Sequence, residues 1–206
     1  MDESKTSGIW QWQIVRLILL VALILFAIFL GVEGFTEKGV RLVIRWSAKF
    51  SVTCFSIAFI ASAFHRWQQN SFSFWVFMNR KYFGISFAIL HLMHLAALGV
   101  LQYFFHPVFE KAATFSLIAG GMAYLFLVLM LLTSFERFSK LLSRKQWSLL
   151  HTIGGYWILA IFFSSYFKGV MRAEYWDLVF LVILILVLVF RAWKMWKGRT
   201  EETLGS

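Results

Sequence analysis

Proline occurs once in this chain of 206 residues, and so does cysteine. A lone thiol, Cys54, inside an apolar run excludes an intrachain disulfide and a cysteine metal site. Pro107 lies between two apolar runs, so no run is broken from within. Charge is scarce, at 15% of residues. No paired carboxylates, nucleotide-binding loop or Ser-His-Asp set occurs, and neither does an internal repeat or a low-complexity linker. No small-residue cleavage site follows the first apolar run, which predicts a retained helix and not a cleaved signal peptide.

What the chain does have is apolar length. Hydrophobic residues make up 60% of it and the mean hydropathy is +0.73, against roughly 45–50% apolar residues in a soluble domain. The surplus falls in six blocks, each near the ~20 residues that a helix needs to cross a bilayer. Unbroken runs such as LVFLVILILVLVF exclude the alternation of a barrel strand. The expected fold is therefore all-α: residues 1–206 form one polytopic bundle of six spans, at about 13–31, 42–64, 82–103, 112–133, 146–167 and 175–193.

The net charge of +10 would suggest nucleic acid in a soluble protein. Here the basic residues sit at span ends, where anionic headgroups account for them, so no nucleic-acid partner is expected. On one side of the predicted topology lie 13 Lys and Arg, among them Lys5, Arg66, Arg137 and Arg199; on the other lie 7, among them Lys38, Lys111 and Lys168. That bias predicts cytoplasmic termini and a multi-pass protein of the plasma (inner) membrane. Trp10, Trp12, Trp67, Trp147, Trp176, Trp193 and Trp196 fall near span ends, as an interfacial belt requires.

Ionisable residues within spans are costly and so are candidates for function. His91 and His94 lie mid-way along the third span, roughly on one face. His151 lies early in the fifth, near Gly154 and Gly155, which permit close helix approach. His65 ends the second span, and His106 adjoins Pro107. Two readings stand side by side: imidazoles from two helices holding a b-type haem, or histidines hydrogen-bonding across helices. No carboxylate or cysteine lies at the spacing zinc would need. Arg45 and Lys49, one turn apart, suit either haem propionates and an anionic ligand or snorkelling to the interface. Gly120-Gly121 predicts close packing of the fourth span.

Arg80-Lys81-Tyr82-Phe83-Gly84 followed by His94 resembles the entry to the third helix of the ferric-reductase-like transmembrane family. Leu132-Thr133-Ser134 and Trp147-Ser148-Leu149-Leu150-His151 resemble that family's fourth-helix end and fifth-helix start, with a fainter match over Arg45–Phe50. The resemblance covers about residues 42–168. It implies a six-helix b-type cytochrome that carries electrons across the membrane, with haem iron held from the third and fifth helices. Carried over by position, His94 and His151 are the expected metal ligands. The family's second fifth-helix histidine is Ser164 here, and its earlier third-helix histidine is Arg80, so one haem is expected and not two. Counted from the basic ends at 1.5 Å per residue, His94 lies about 18–20 Å deep, His91 about 15 Å and His151 about 9 Å. His91 therefore joins the candidate set.

The expectation is an oxidoreductase electron-transfer subunit that depends on a partner: a flavoprotein reductase or quinol as reductant, and an acceptor on the outer face. The ten residues after Trp196 are too few for flavin and nicotinamide domains. The alternative is a haem-free accessory or structural subunit that keeps the fold. A transporter ranks third, for want of paired acidic residues or broken spans.

Overall fold

The computed structural model describes residues 10–107 and 114–204. Lys5, Lys111 and Ala112, the first residue of the predicted fourth span, lie outside the described residues. Seven helices follow in order: α1 (Trp12–Glu33), α2 (Glu37–Gln68), α3 (Ser71–Phe105), α4 (Thr114–Leu132), α5 (Glu136–Ser139), α6 (Arg144–Met171) and α7 (Tyr175–Leu204). No strand occurs among the described residues. α1, α2, α3, α6 and the Tyr175–Trp193 part of α7 are each long and apolar enough to cross a membrane; α4 contributes a shorter apolar stretch, Leu117–Leu132. This is a multi-pass membrane protein, since in lipid each helix satisfies its own backbone.

Several helices outrun the spans expected of them, α7 by running on to Leu204 and α2 and α3 at both ends. α3 begins at Ser71, well before residue 82, because Asn70 and Ser73 cap each other reciprocally. The Asn70 side chain accepts from the Ser73 amide at 2.8 Å, and Ser73 Oγ accepts from the Asn70 amide at 3.1 Å. Arg80 and Lys81 are consequently helical and not part of a connector. The Arg80 guanidinium rests on the Phe77 ring 4.3 Å away, so its charge reaches water from within the helix. α2 likewise extends beyond residues 42–64 at both ends, with Thr36 as its N-cap. At 1.5 Å per residue each of these helices exceeds the ~30 Å hydrocarbon core.

α2 and α3 form an antiparallel hairpin around Gln69 and Asn70. Small side chains line their seam: Ser47, Ser51 and Ser73 are fully buried and meet His94, His91 and His65 across it, which lets the backbones approach where lipid gives no hydrophobic drive. The core runs through all six long helices, from Ala22 and Phe26 through Phe55, Phe87, Leu127, Phe162 and Leu184.

The glycines divide. A Cβ on Gly154 would meet Met130 Sδ at 2.7 Å, and one on Gly155 would meet the Phe59 ring at 2.7 Å, so Gly154 marks where α4 and α6 pack together and Gly155 is a seat for the Phe59 ring of α2. At Gly120 and Gly121 nothing lies within 4 Å of that position. The close packing expected of that pair does not occur, because α4 meets α3 and α6 through other faces: Tyr124 on His91 and Phe126 on Gly154.

Candidate functional site

The two α3 histidines are held from α2 by a repeated device. Ser51 Oγ donates to the Ala48 carbonyl (2.8 Å) and lies 3.0 Å from His91 Nδ1. Its proton is thus committed to the backbone, so the serine accepts and His91 Nδ1 carries the hydrogen. One turn away, His94 Nδ1 lies 2.9 Å from the Ile44 carbonyl, which only accepts, and 3.3 Å from Ser47 Oγ. Ser47 Oγ also donates to Ile44, at 2.9 Å. Both imidazoles are therefore Nδ1–H tautomers with the lone pair on Nε2. An imidazole that binds a metal is oriented in this way, its other ring N–H given to a carbonyl or similar acceptor.

Their surroundings differ. The two rings lie nearly parallel, 8° apart with centroids 5.2 Å apart. His91 is also covered by Tyr124 of α4 (5.1 Å, 21°), by the edge of Phe162 of α6 (5.2 Å, 73°) and by Phe87 (5.8 Å). His94 is the less crowded of the two. Tyr124 opposes His91 across antiparallel α3 and α4, which puts the open Gly120-Gly121 stretch near the level of His94.

His151 is held apart from this pair. Thr133 Oγ1 donates to the Leu129 carbonyl at 2.7 Å, so it accepts from His151 Nε2 at 3.1 Å. The Trp147 ring covers the imidazole at 4.1 Å, and its Nε1–H donates to the Thr133 carbonyl. Phe162, the α6 residue that meets His91, lies eleven positions further on, about 16 Å along the axis. His151 thus sits in a joint between the end of α4 and the start of α6.

These observations test the fit of a haem. On the α3 side, the fixed tautomer of His94, whose Nε2 has no hydrogen-bond partner among the described residues, suits one haem ligand. Opposite, the space between α3 and α6 is filled by rings: Phe55, Phe87 and Phe162 lie 5.2–6.0 Å apart, each 3–5% exposed. Ser164, at the position of the missing family histidine, faces out of the bundle. The residues fit one imidazole ligand from α3 and do not fit a pair spanning α3 and α6.

The remaining candidates have structural employment. His65 Nδ1 lies 3.0 Å from Ser73 Oγ, tying the hairpin, with its ring on Phe77. His106 ends α3 in the left-handed region (φ 43°) beside Pro107, a conformation in which histidine is enriched among non-glycine residues. Among the described residues, no three His, Cys, Asp or Glu side chains gather as a metal site. Arg45 lies 3.9 Å from Glu174, and Lys49 sits over the rings of Trp46 and Phe180. Sequence reasoning missed Ser51 and the Ile44 carbonyl as partners of His91 and His94, and missed the bonding role of Thr133 toward His151; these pairings emerge only from the register of neighbouring helices. No protein-family model, curated protein or solved structure matches the chain.

Proposed function

We propose that this protein is an electron-relay subunit of ferric-reductase-like build, with six spans and cytoplasmic termini in the plasma membrane, and one haem b ligated by His94. The observation that carries this reading is the hydrogen bond from His94 Nδ1 to the Ile44 carbonyl, which leaves Nε2 as a lone pair on the less covered ring. Haem supplies one-electron chemistry when bound; the chain supplies ligation, orientation and a dry surround. Ile44 and Ser47 fix the plane of His94. His91, Tyr124 and Phe162 pack behind it and keep water out. A separate reduced flavoprotein or quinol delivers the electron, and an acceptor on the outer face takes it.

The test is an absorbance spectrum of the purified chain, oxidised and then dithionite-reduced, from cells well supplied with haem. With a single imidazole ligand the reduced form binds carbon monoxide. His94→Ala abolishes the Soret band, whereas His91→Ala and His151→Ala retain it. Sharp low-spin bands that vanish in His151→Ala would mean that the positional match to the family outweighs the Thr133 bond.

One observation favours a second reading, a haem-free accessory subunit. Phe87 and Phe162 meet across the α3–α6 gap at 6.0 Å, packing the space a two-sided haem site requires. Protein without a Soret band under the same conditions leaves this reading standing.

A further inference from the structure

We propose that the cavity at the start of α1 binds the phosphate of an anionic phospholipid, with the Arg16 guanidinium as its anchor. Such a site needs no haem. The cavity has a volume of about 470 Å³ and is lined by Trp10, Gln11, Trp12, Gln13 and Arg16, a size that small ligands occupy. No carboxylate is among these five residues, so the only formal charge on the wall is positive. Arg16 makes no ion pair among the described residues, whereas Lys38, Arg41, Arg45 and Lys140 meet Glu33, Glu37, Glu174 and Glu136. A guanidinium left free in this way matches a phosphodiester through two parallel N–H···O bonds.

The wall of the cavity is held from outside α1. Gln11 has φ 55° and ψ −124°, a conformation that residues other than glycine rarely adopt. Asn79 of α3, fully buried, keeps it there: its Oδ1 accepts from the Gln11 amide at 2.9 Å, and its Nδ2 donates to the Trp75 carbonyl at 2.9 Å. Gln13 Oε1 accepts from the Trp10 amide at 3.2 Å and closes the turn. The Trp12 ring meets Tyr82 edge-on (5.7 Å) and stacks on Phe135 (6.2 Å). The wall is thus in place before a ligand arrives, and binding has little of it to order.

Position selects a lipid over free phosphate. Arg16 lies one turn inward from Trp12, about 6 Å along α1, and indoles such as Trp10 and Trp12 belong at headgroup level. Beyond Arg16, Leu20, Leu23 and Ile24 follow at i+4, i+7 and i+8, all of them exposed, which makes one apolar stripe on the face that carries the arginine. A headgroup held at Arg16 therefore lays its acyl chains along that stripe, which a free phosphate would leave unused. A zwitterionic lipid brings an ammonium group for which the wall has no carboxylate, so an anionic headgroup is the better match.

The experiment is native mass spectrometry of the purified full-length chain in neutral detergent, titrated with phosphatidylglycerol, phosphatidylcholine or inorganic phosphate. One phosphatidylglycerol binds first, ahead of phosphatidylcholine, and inorganic phosphate does not displace it. Arg16→Gln weakens that first binding by about tenfold or more, as loss of hydrogen bonds to a charged group does. Arg66→Gln, which removes an exposed cation outside the cavity, leaves it unchanged. Equal losses in the two variants would mean general surface charge and overturn the site. Equal binding of phosphatidylcholine overturns the anionic selectivity, and displacement by inorganic phosphate overturns the lipid. Asp2→Asn with Glu3→Gln leaves the affinity as it was; a rise of about tenfold would mean that the chain's own carboxylates compete for Arg16, against the proposal. Should Arg16→Gln fail to accumulate, Arg16→Lys keeps the charge without the fork: weaker binding is expected, and unchanged binding overturns the paired contact.

Discussion

Gly155→Ala offers a sharp test of how the helices are fitted together. The added methyl would lie 2.7 Å from Phe59 Cε2 and 3.3 Å from its Cδ2. A flexible side-chain end would swing aside at little cost, but Phe59 is held on several sides. It stacks on Phe55 (5.2 Å), meets Tyr156 edge-on (5.3 Å) and carries the Arg191 guanidinium 4.3 Å above its ring. Overpacking of this kind costs about 1–3 kcal/mol. Replacing glycine by alanine within a helix returns about 0.8–1.0 kcal/mol of propensity, so the net change is a loss of up to about 2 kcal/mol. Gly121→Ala meets nothing within 4 Å and keeps only the gain. Equilibrium unfolding in mixed micelles, run on both variants, should therefore move the two in opposite directions. If Gly155→Ala equals or exceeds Gly121→Ala in stability, the Phe59 ring does not pack on Gly155 as described.

Two further outcomes can be measured. Thr133→Val leaves His151 Nε2–H without its acceptor and should cost about 0.6 kcal/mol, at most about 1.7, as membrane hydrogen bonds do and not the soluble-protein value. A double-mutant cycle with His151→Ala reads that coupling, and a coupling of zero would refute the joint. Reporter fusions after residue 196 and within residues 34–38 should give opposite signals, as six spans with cytoplasmic termini require; matching signals would mean a different number of crossings.

The membrane character was legible because apolar length is a local property: each block declares itself without reference to the others. Helix ends were less so. The start of α3 at Ser71 depends on a reciprocal cap that hydropathy does not register, and charges at Arg80 and Lys81 read as a break where the helix continues. The histidines were found by their cost in lipid, but their roles were not. His151 and His94 look alike in sequence, and only the register of neighbouring helices gives one a threonine on Nε2 and the other a carbonyl on Nδ1. Gly154-Gly155 and Gly120-Gly121 are the same dipeptide. One sits under Phe59 and Met130 and the other beside open space, a distinction that belongs to the partner helix.

The α2–α3 hairpin also bears on how the molecule is made. Its two helices are joined by only Gln69 and Asn70, and the seam between them already contains both serines, the Ile44 carbonyl and both imidazoles they orient. During synthesis these two spans can enter the bilayer as a pair and fix the proton of each ring before α4, α6 or α7 has left the ribosome. The tautomer of each ring would then be set early, and the later helices would arrive as walls around a finished fixture.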